Sequence, residues 1–128
     1  MSIIDPIVVH SGWLRKQQAI SRQWHSRYFV LYNDRLTHKH DEESLDSTLK
    51  VTFLLVDILN ICRSIKVPNA IDIQLKDKSA VILLRAETSH ELESWEEILN
   101  KQWYDYYFLL IYYNSFTYRL TYSLIQAF

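Results

Sequence analysis

Cysteine and glycine are nearly absent from this chain, which has one of each among 128 residues. The lone Cys62 excludes an internal disulfide and a metal cage built from several thiolates. The lone Gly12 excludes the glycine-rich loops that cradle nucleotide phosphates, because those loops need several glycines within a short stretch. Cys62 ends the apolar run LNIC (59–62). Since a free cysteine mostly behaves as a small hydrophobic side chain, we predict that it is buried.

Catalytic motifs are lacking as well. No serine is flanked by the glycines of a nucleophile elbow, and His10 and His90 stand alone in the sequence. The segment HKHDEE (38–43) contains residue types that bind metals, but its histidines alternate at a strand end and its acids lie in a polar stretch. We therefore predict a solvated surface there and no metal site. A non-catalytic protein without a cofactor is expected.

Charge is almost balanced overall but unevenly distributed along the chain. The formal net charge is −1, which gives no support for general nucleic-acid binding. Residues 11–40 hold six Arg or Lys against one acid, Asp34, whereas residues 87–97 hold five glutamates. A protein with this polarity can orient at an anionic membrane surface despite its small net charge.

Residue patterns predict seven strands within the single domain that 128 residues allow. Most of the segments are rich in β-branched and aromatic residues or alternate between apolar and polar positions. The predicted strands cover 8–16, 24–32, 35–39, two within 49–62 that are separated near Asp57, 70–75 and 80–86. Polar connections are predicted at 17–23, 40–47 and 76–78. A buried helix over 49–62 is the alternative for that apolar stretch.

The period of the pattern changes after the last strand. Thr88 can cap a helix with Glu91 three residues later, which is the capping-box pattern. Leu92, Trp95 and Leu99 follow at helical spacing and form one apolar stripe. We therefore predict one helix over 89–101 that closes one end of a mainly β protein, with Trp95 as its structural anchor in the core.

Two segments far apart in the sequence resemble the two ends of a pleckstrin homology (PH) domain. They are SGWLRKQ (11–17) with WHSRYFVL (24–31), and AVILLRAETS (80–89) running into the helix of Trp95. The resemblance covers residues 11 to about 102. It implies a seven-stranded antiparallel barrel capped by a C-terminal helix, and a non-catalytic adaptor whose first hairpin binds a phosphoinositide headgroup.

The most similar PH modules stand at the front of some Rho-GTPase-activating proteins, judged by GWLRKQ (12–17) and by Lys39 with the acids of 41–43. This implies a role in Rho GTPase regulation. No GTPase-activating domain is present in this chain, so that activity does not carry over. A signalling protein or a small GTPase is a further class of partner that the resemblance implies.

Five basic residues form the candidate headgroup site: Lys16, Arg22, His25, Arg27 and Lys39. Side chains alternate across a strand, so His25 and Arg27 share the inward face of the second strand and lie at the open mouth of the barrel. In a hairpin, Lys16 converges with them beneath a loop that carries Arg22, and Lys39 on the third strand closes the side. Arg offers phosphate a bidentate contact and Lys a point charge. PH domains that bind phosphoinositides strongly tend to have Lys or Arg where this chain has His25.

The sequence thus predicts a membrane-targeting adaptor that binds anionic phosphoinositide headgroups at the mouth of the first hairpin. It is expected to be a cytoplasmic monomer, peripherally associated with the inner face of a membrane. The alternative is a PH-like module for protein–protein interaction without significant lipid binding. A third interpretation, a tail-anchored membrane protein, depends on residues 103–128.

Residues 103–128 differ from the domain at 11–102 and from the flank at 1–10. Eleven of these 26 residues are Phe, Trp or Tyr, and only Asp105 and Arg119 are charged. About 20 apolar residues can span a bilayer, but a central arginine costs roughly 2.5–3.5 kcal/mol on insertion scales. The segment can instead be an aromatic flank that packs on the barrel or lies at a membrane interface, or a read-through tail that is not part of the domain. Of these three interpretations we favour the read-through tail.

Overall fold

The computed structural model describes residues 7–41, 50–76 and 81–127. Seven strands and one helix follow each other in the predicted order, with a short 3-10 helix at Leu55–Asp57 between the fourth and fifth strands. The elements are β1 (Val8–Gln17), β2 (Trp24–Tyr32), β3 (Arg35–Lys39), β4 (Val51–Leu54), β5 (Ile58–Arg63), β6 (Ala70–Leu75), β7 (Val81–Arg85) and α1 (Ser89–Ala127). The interpretation of 49–62 as two strands separated near Asp57 is confirmed over its described part.

The strands form one antiparallel sheet in the order β4-β3-β2-β1-β7-β6-β5. Its two end strands, β4 and β5, are consecutive in the chain and are joined by the 3-10 helix. Backbone hydrogen bonds fix this corner, because Leu55 N donates to Asp34 O at 2.9 Å and Lys76 N donates to Asp57 O at 2.8 Å. The curled sheet with a C-terminal helix is the predicted PH-type fold.

The core lies between the inner face of the sheet and the first half of α1. Its buried cluster combines alternate residues of the strands with Leu92, Trp95 and Leu99 of the helix. Trp95 is 4% exposed, and the edge of its indole ring lies 3.6 Å from the position that a side chain on Gly12 would occupy. Trp95 is therefore a core residue, and its role as the anchor of the helix stays a prediction.

Helix α1 begins as predicted but continues far beyond the predicted end at 101. The Glu91 N–H donates to Thr88 Oγ1 at 3.1 Å, which satisfies one of the free donors of the first turn. The helix then runs to Ala127. Glycine and proline are the residues that most strongly mark the end of a helix. Neither occurs after Pro68, so the sequence contains no such signal near the predicted end at 101. Within the described residues no helix is long and apolar enough to cross a membrane.

The prediction of a buried Cys62 is wrong, because the side chain is exposed. The pairing of β5 with β6 has an irregularity between Ile58 and Asn60. After it, Ile61 faces the core and Cys62 faces outward. An apolar run in the sequence does not reveal such a change of face.

Some predicted features lie wholly or partly outside the described residues. These are the flank at 1–10, of which residues 7–10 are described, and the polar connections at 40–47 and 76–78, of which only His40, Asp41 and Lys76 are described. The acids at 42 and 43 of the HKHDEE segment also lie there. Among the residues that the structure does describe, no three potential metal ligands of the His, Cys, Asp or Glu type form a group.

The boundary of the domain at 102 stays a prediction that truncation tests. Trp103 and Tyr106 pack against the core cluster, so a chain ending at 102 loses contacts that a chain ending at 110 keeps. We expect removal of 111–128 to change the free energy of unfolding by less than about 0.5 kcal/mol, and removal of 103–128 to lower it by about 1–3 kcal/mol. Urea denaturation followed by circular dichroism measures both. Equal stability of the two truncated chains would place the boundary at 102.

Candidate functional site

Three of the predicted site residues meet at the loop end of the β1–β2 hairpin. Lys16 is paired with His25 and Leu14 with Arg27 across the two strands. Since directly opposed residues of an antiparallel pair point to the same face, Lys16, His25 and Arg27 share the face of the buried Leu14. All three are half-buried. We call these three residues the basic mouth.

The loop between β1 and β2, next to the basic mouth, is held together by its own hydrogen bonds. The Gln18 N–H donates to Gln23 O at 2.8 Å, and Gln17 Nε2 donates to Arg22 O at 3.1 Å. Arg22 has a φ of 58°, in the left-handed region that residues other than glycine adopt infrequently. Its side chain is exposed. The fourth predicted residue therefore lies in the loop next to the mouth.

The fifth predicted residue, Lys39, is not brought to the mouth. It is paired with Tyr28, not with Arg27 or Phe29, and its Nζ lies 5.9 Å from the centre of the Tyr28 ring. Tyr28 in turn stacks edge-on with the exposed Trp13. Because alternate residues face opposite sides of a strand, this register puts Lys39 on the outer face of the sheet, away from Arg27.

Sequence reasoning missed His38, which lies at the floor of the basic mouth. The sequence pattern predicts a solvated surface there, but His38 is 6% exposed and paired with Phe29 on the inner face. Its ring centre lies 5.0 Å from that of Phe29 and 5.8 Å from that of Phe53. Neither ring nitrogen has a hydrogen-bond partner among the described residues. The one signal in the sequence is its position two residues after Leu36, which is a core residue.

Burial, and then the accumulation of positive charge at this end of the barrel, lower the pKa values of two residues. Burial, and next the positive charge of Arg27, lower the pKa of Lys16 from its ordinary value of 10.5. Burial, followed by the charges of Lys16, Arg27 and His40, lowers the pKa of His38 from 6.5 to about 4. His38 is therefore neutral at physiological pH, and Lys16 and Arg27 bring positive charge to the mouth.

Ion pairs within the described residues engage cations outside the basic mouth. Arg15 lies 3.0 Å from Glu87, Arg63 lies 2.8 Å from Glu96, and the other two pairs are Arg35–Asp34 and Lys101–Asp105. Arg27 Nη1 donates to the carbonyl oxygen of Ser26 at 2.7 Å, and a guanidinium has five N–H donors in all. The arrangement suits an anion with several oxygen acceptors.

Comparison with known proteins identifies the family and agrees with the fold. The PH domain family model matches residues 8–104. Rho GTPase-activating protein 22 of the mouse is 41% identical over 58 residues, which cover 39% of this chain and 8% of that protein. The chain therefore spans a small part of this curated relative. The match confirms the resemblance to PH modules of Rho-GTPase-activating proteins that the sequence indicates.

Solved structures share the fold at lower identity. The PH domain of the human KIAA0053 protein is 24% identical with a TM-score of 0.66, over 80% of this chain and 92% of that one. The Slm1 PH domain, solved in complex with inositol-4-phosphate, is 15% identical with a TM-score of 0.63, over 74% and 95%. On the family match and the seven-stranded sheet with its terminal helix, the chain belongs to the PH domain family.

Proposed function

We propose that this chain is a non-catalytic membrane-targeting module that binds an anionic phosphoinositide headgroup in the basic mouth. The observation that carries the proposal is the position of Lys16 and Arg27 on the inner face of one hairpin. After burial, Arg27 is the next cause of the lowered pKa of Lys16, and both cations add to the lowering of the pKa of His38. An anion placed between them would relieve that repulsion. A rigid hairpin also holds the cations in place before the ligand arrives.

The residues offer distinct contacts to a phosphorylated inositol ring. The Arg27 guanidinium can form two parallel hydrogen bonds with one phosphate, and the Lys16 ammonium can contact another as a point charge. His25 lies directly across from Lys16, and exposed Arg22 extends the positive charge into the loop. The complex of the Slm1 PH domain with inositol-4-phosphate supports an inositol phosphate as the class of ligand for this fold. Binding would place the chain at the cytoplasmic face of a membrane.

A second candidate function is protein recognition by the outer face of β1. Trp13 is 48% exposed on this face, and exposed aromatic side chains are enriched at protein interfaces. The 41% identity with part of a Rho GTPase-activating protein favours a partner in Rho GTPase signalling. A module of this second kind would not need the basic mouth.

Vesicle co-sedimentation of the full chain tests the first function. We expect binding to vesicles that contain phosphoinositides, and competition by soluble inositol phosphates. Arg27→Ala and Lys16→Ala should each raise the dissociation constant about 10- to 100-fold, because hydrogen bonds to charged groups contribute roughly 1.5–3 kcal/mol. Added salt should weaken binding through screening.

Two substitutions serve as matched controls for this experiment. Arg35 lies at the other end of β2, beside Asp34 at 3.4 Å and over the Tyr32 ring at 4.9 Å. Arg35→Ala and Lys39→Ala should therefore change headgroup binding less than about threefold. Two results would contradict the proposal and favour protein recognition. One is a folded protein that does not bind phosphoinositide vesicles, and the other is an equal loss of binding in the mouth variants and the control variants.

A further inference from the structure

The outer side of α1 changes character halfway along the helix. Its inner side packs Trp95, Leu99 and Tyr106 against the core. The opposite side is polar as far as Lys101, but beyond it Phe108 is 63% exposed and Tyr112 is 69% exposed. A helix with aromatic residues on the side away from its own core normally has that side covered by another surface.

The exposed residues follow the spacing of a coiled-coil seam. Asp105, Phe108, Tyr112, Ser115 and Arg119 recur at alternating intervals of three and four residues, which is the interval between facing positions of paired helices. Two grooves run along this stripe. One of about 270 Å³ is lined by Phe108, Ile111, Tyr112, Ser115 and Arg119. The other, of about 510 Å³, is lined by Tyr104, Asp105, Phe108, Leu109 and Tyr112.

The charges on the stripe indicate what covers it. Asp105 and Arg119 are the only charged residues of 103–128. They lie fourteen positions apart, about 21 Å along one side of the helix, with Tyr112 midway between them. A second helix laid antiparallel across Tyr112 would bring each Asp105 to the Arg119 of the other copy. A parallel arrangement would bring like charges together.

We propose that residues 104–119 form an antiparallel interface with the same segment of a second copy of this chain. A dimer departs from the monomer that is expected from the sequence. A two-fold interface is self-complementary, and its two Asp105–Arg119 contacts satisfy that condition. Asp105 already lies 3.7 Å from Lys101 in its own helix. This exposed pair is weak, and the carboxylate can accept from both cations.

The interface leaves the basic mouth free. Gln102 Nε2 donates to Asn33 O at 3.0 Å, which fixes this part of the helix at the β2–β3 turn. The mouth lies at the other end of β2, about 25 Å away at the rise of a strand. A membrane that holds the mouth therefore does not cover the stripe. The short segment falls at the low end of specific interface sizes, so we expect a dissociation constant on the order of 10 μM.

Sedimentation equilibrium of the full chain, at concentrations on both sides of this value, tests the proposal. Asp105→Arg or Arg119→Asp should each raise the dissociation constant about tenfold. In a dimer of either variant, positions 105 and 119 carry charges of the same sign and repel each other at both contacts. An equimolar mixture of the two variants should recover the affinity of the original chain, since all charges at both contacts become complementary. The double variant should recover it too. Glu97→Arg, an exposed change outside the stripe, should leave association unchanged.

Several outcomes would overturn the proposal: a monomer at every concentration, single variants that associate like the original chain, mixed variants that do not recover affinity, or association that needs vesicles. Circular dichroism confirms that each variant keeps its helix. The result is separable from headgroup binding. Arg27→Ala should leave the dimer intact, and Asp105→Arg should leave the binding of soluble inositol phosphate intact.

Discussion

Replacing Trp95 by alanine should lower the free energy of unfolding by about 3–5 kcal/mol, the range for truncation of a large aromatic side chain in a core. The indole is 4% exposed. It lies over the backbone of Gly12 and meets the His10 ring edge-on at a centroid distance of 4.5 Å. It thus joins the helix to the first strand, and the cavity left by its removal would lie where the two meet. Urea denaturation of the original chain and the variant measures the difference.

Trp13→Ala is the matched control for this experiment. Trp13 lies on the outer face of β1, the strand whose inner face Trp95 contacts. It is 48% exposed, and its ring meets the Tyr28 ring edge-on at a centroid distance of 5.6 Å. We therefore expect its replacement to lower the free energy of unfolding by less than about 1 kcal/mol. Trp95→Phe keeps part of the ring and gives a measurable transition if the alanine variant does not fold. Similar losses for the two alanine variants would show that the helix is not anchored by Trp95.

Residues at both ends of the domain make most of the fold predictable. The boundaries of β2 and β3 follow from turn residues such as Asn33 and from clear alternation, and the start of α1 follows from its cap at Thr88. The end of α1 is not predictable in the same way. The outer side of α1 changes from polar to aromatic beyond residue 101, and this change resembles the end of a domain. The helix nevertheless continues to Ala127, because no residue in the sequence interrupts it.

The candidate site is predictable only along one hairpin. Lys16, His25 and Arg27 follow from the alternation of two strands whose pairing the sequence suggests. The positions of Lys39 and His38 depend on the register of β3 against β2, and a shift of one residue exchanges the two faces. The observed register places the histidine inside and the lysine outside. Local composition, polar on both sides of His38, indicates the opposite.

The burial of His38 should make the stability of the protein sensitive to acid. Its pKa is lowered to about 4 in the folded chain, first by burial and then by Lys16, Arg27 and His40, against an ordinary value of 6.5. Between these values the unfolded chain binds more protons than the folded chain. The stabilising contribution is therefore fully present above pH 6.5 and is lost as the pH falls from about 6.5 to about 4.

The full difference in pKa corresponds to about 3 kcal/mol, and we expect about 1–2 kcal/mol because half-exposed Lys16 and Arg27 are partly screened by solvent. His38→Phe, which keeps a ring between Phe29 and Phe53, should remove this part of the pH dependence and stabilise the protein most at low pH. Urea denaturation at several pH values gives the free energy of unfolding of the variant and of the original chain. Their difference isolates the contribution of His38, because carboxylates that titrate in both chains contribute equally to both.

His90→Phe is the matched control for the His38 experiment, because His90 is exposed on the first turn of α1 and its replacement should leave the acid sensitivity of the original chain intact. An inositol phosphate bound between Lys16 and Arg27 would offset their charge and allow His38 to accept a proton more readily. The acid loss assigned to His38 should then shrink when the ligand is present. An acid loss that is unchanged in His38→Phe would show that His38 is not its source, and a loss that is unchanged by the ligand would show that His38 does not report on the charge of the mouth.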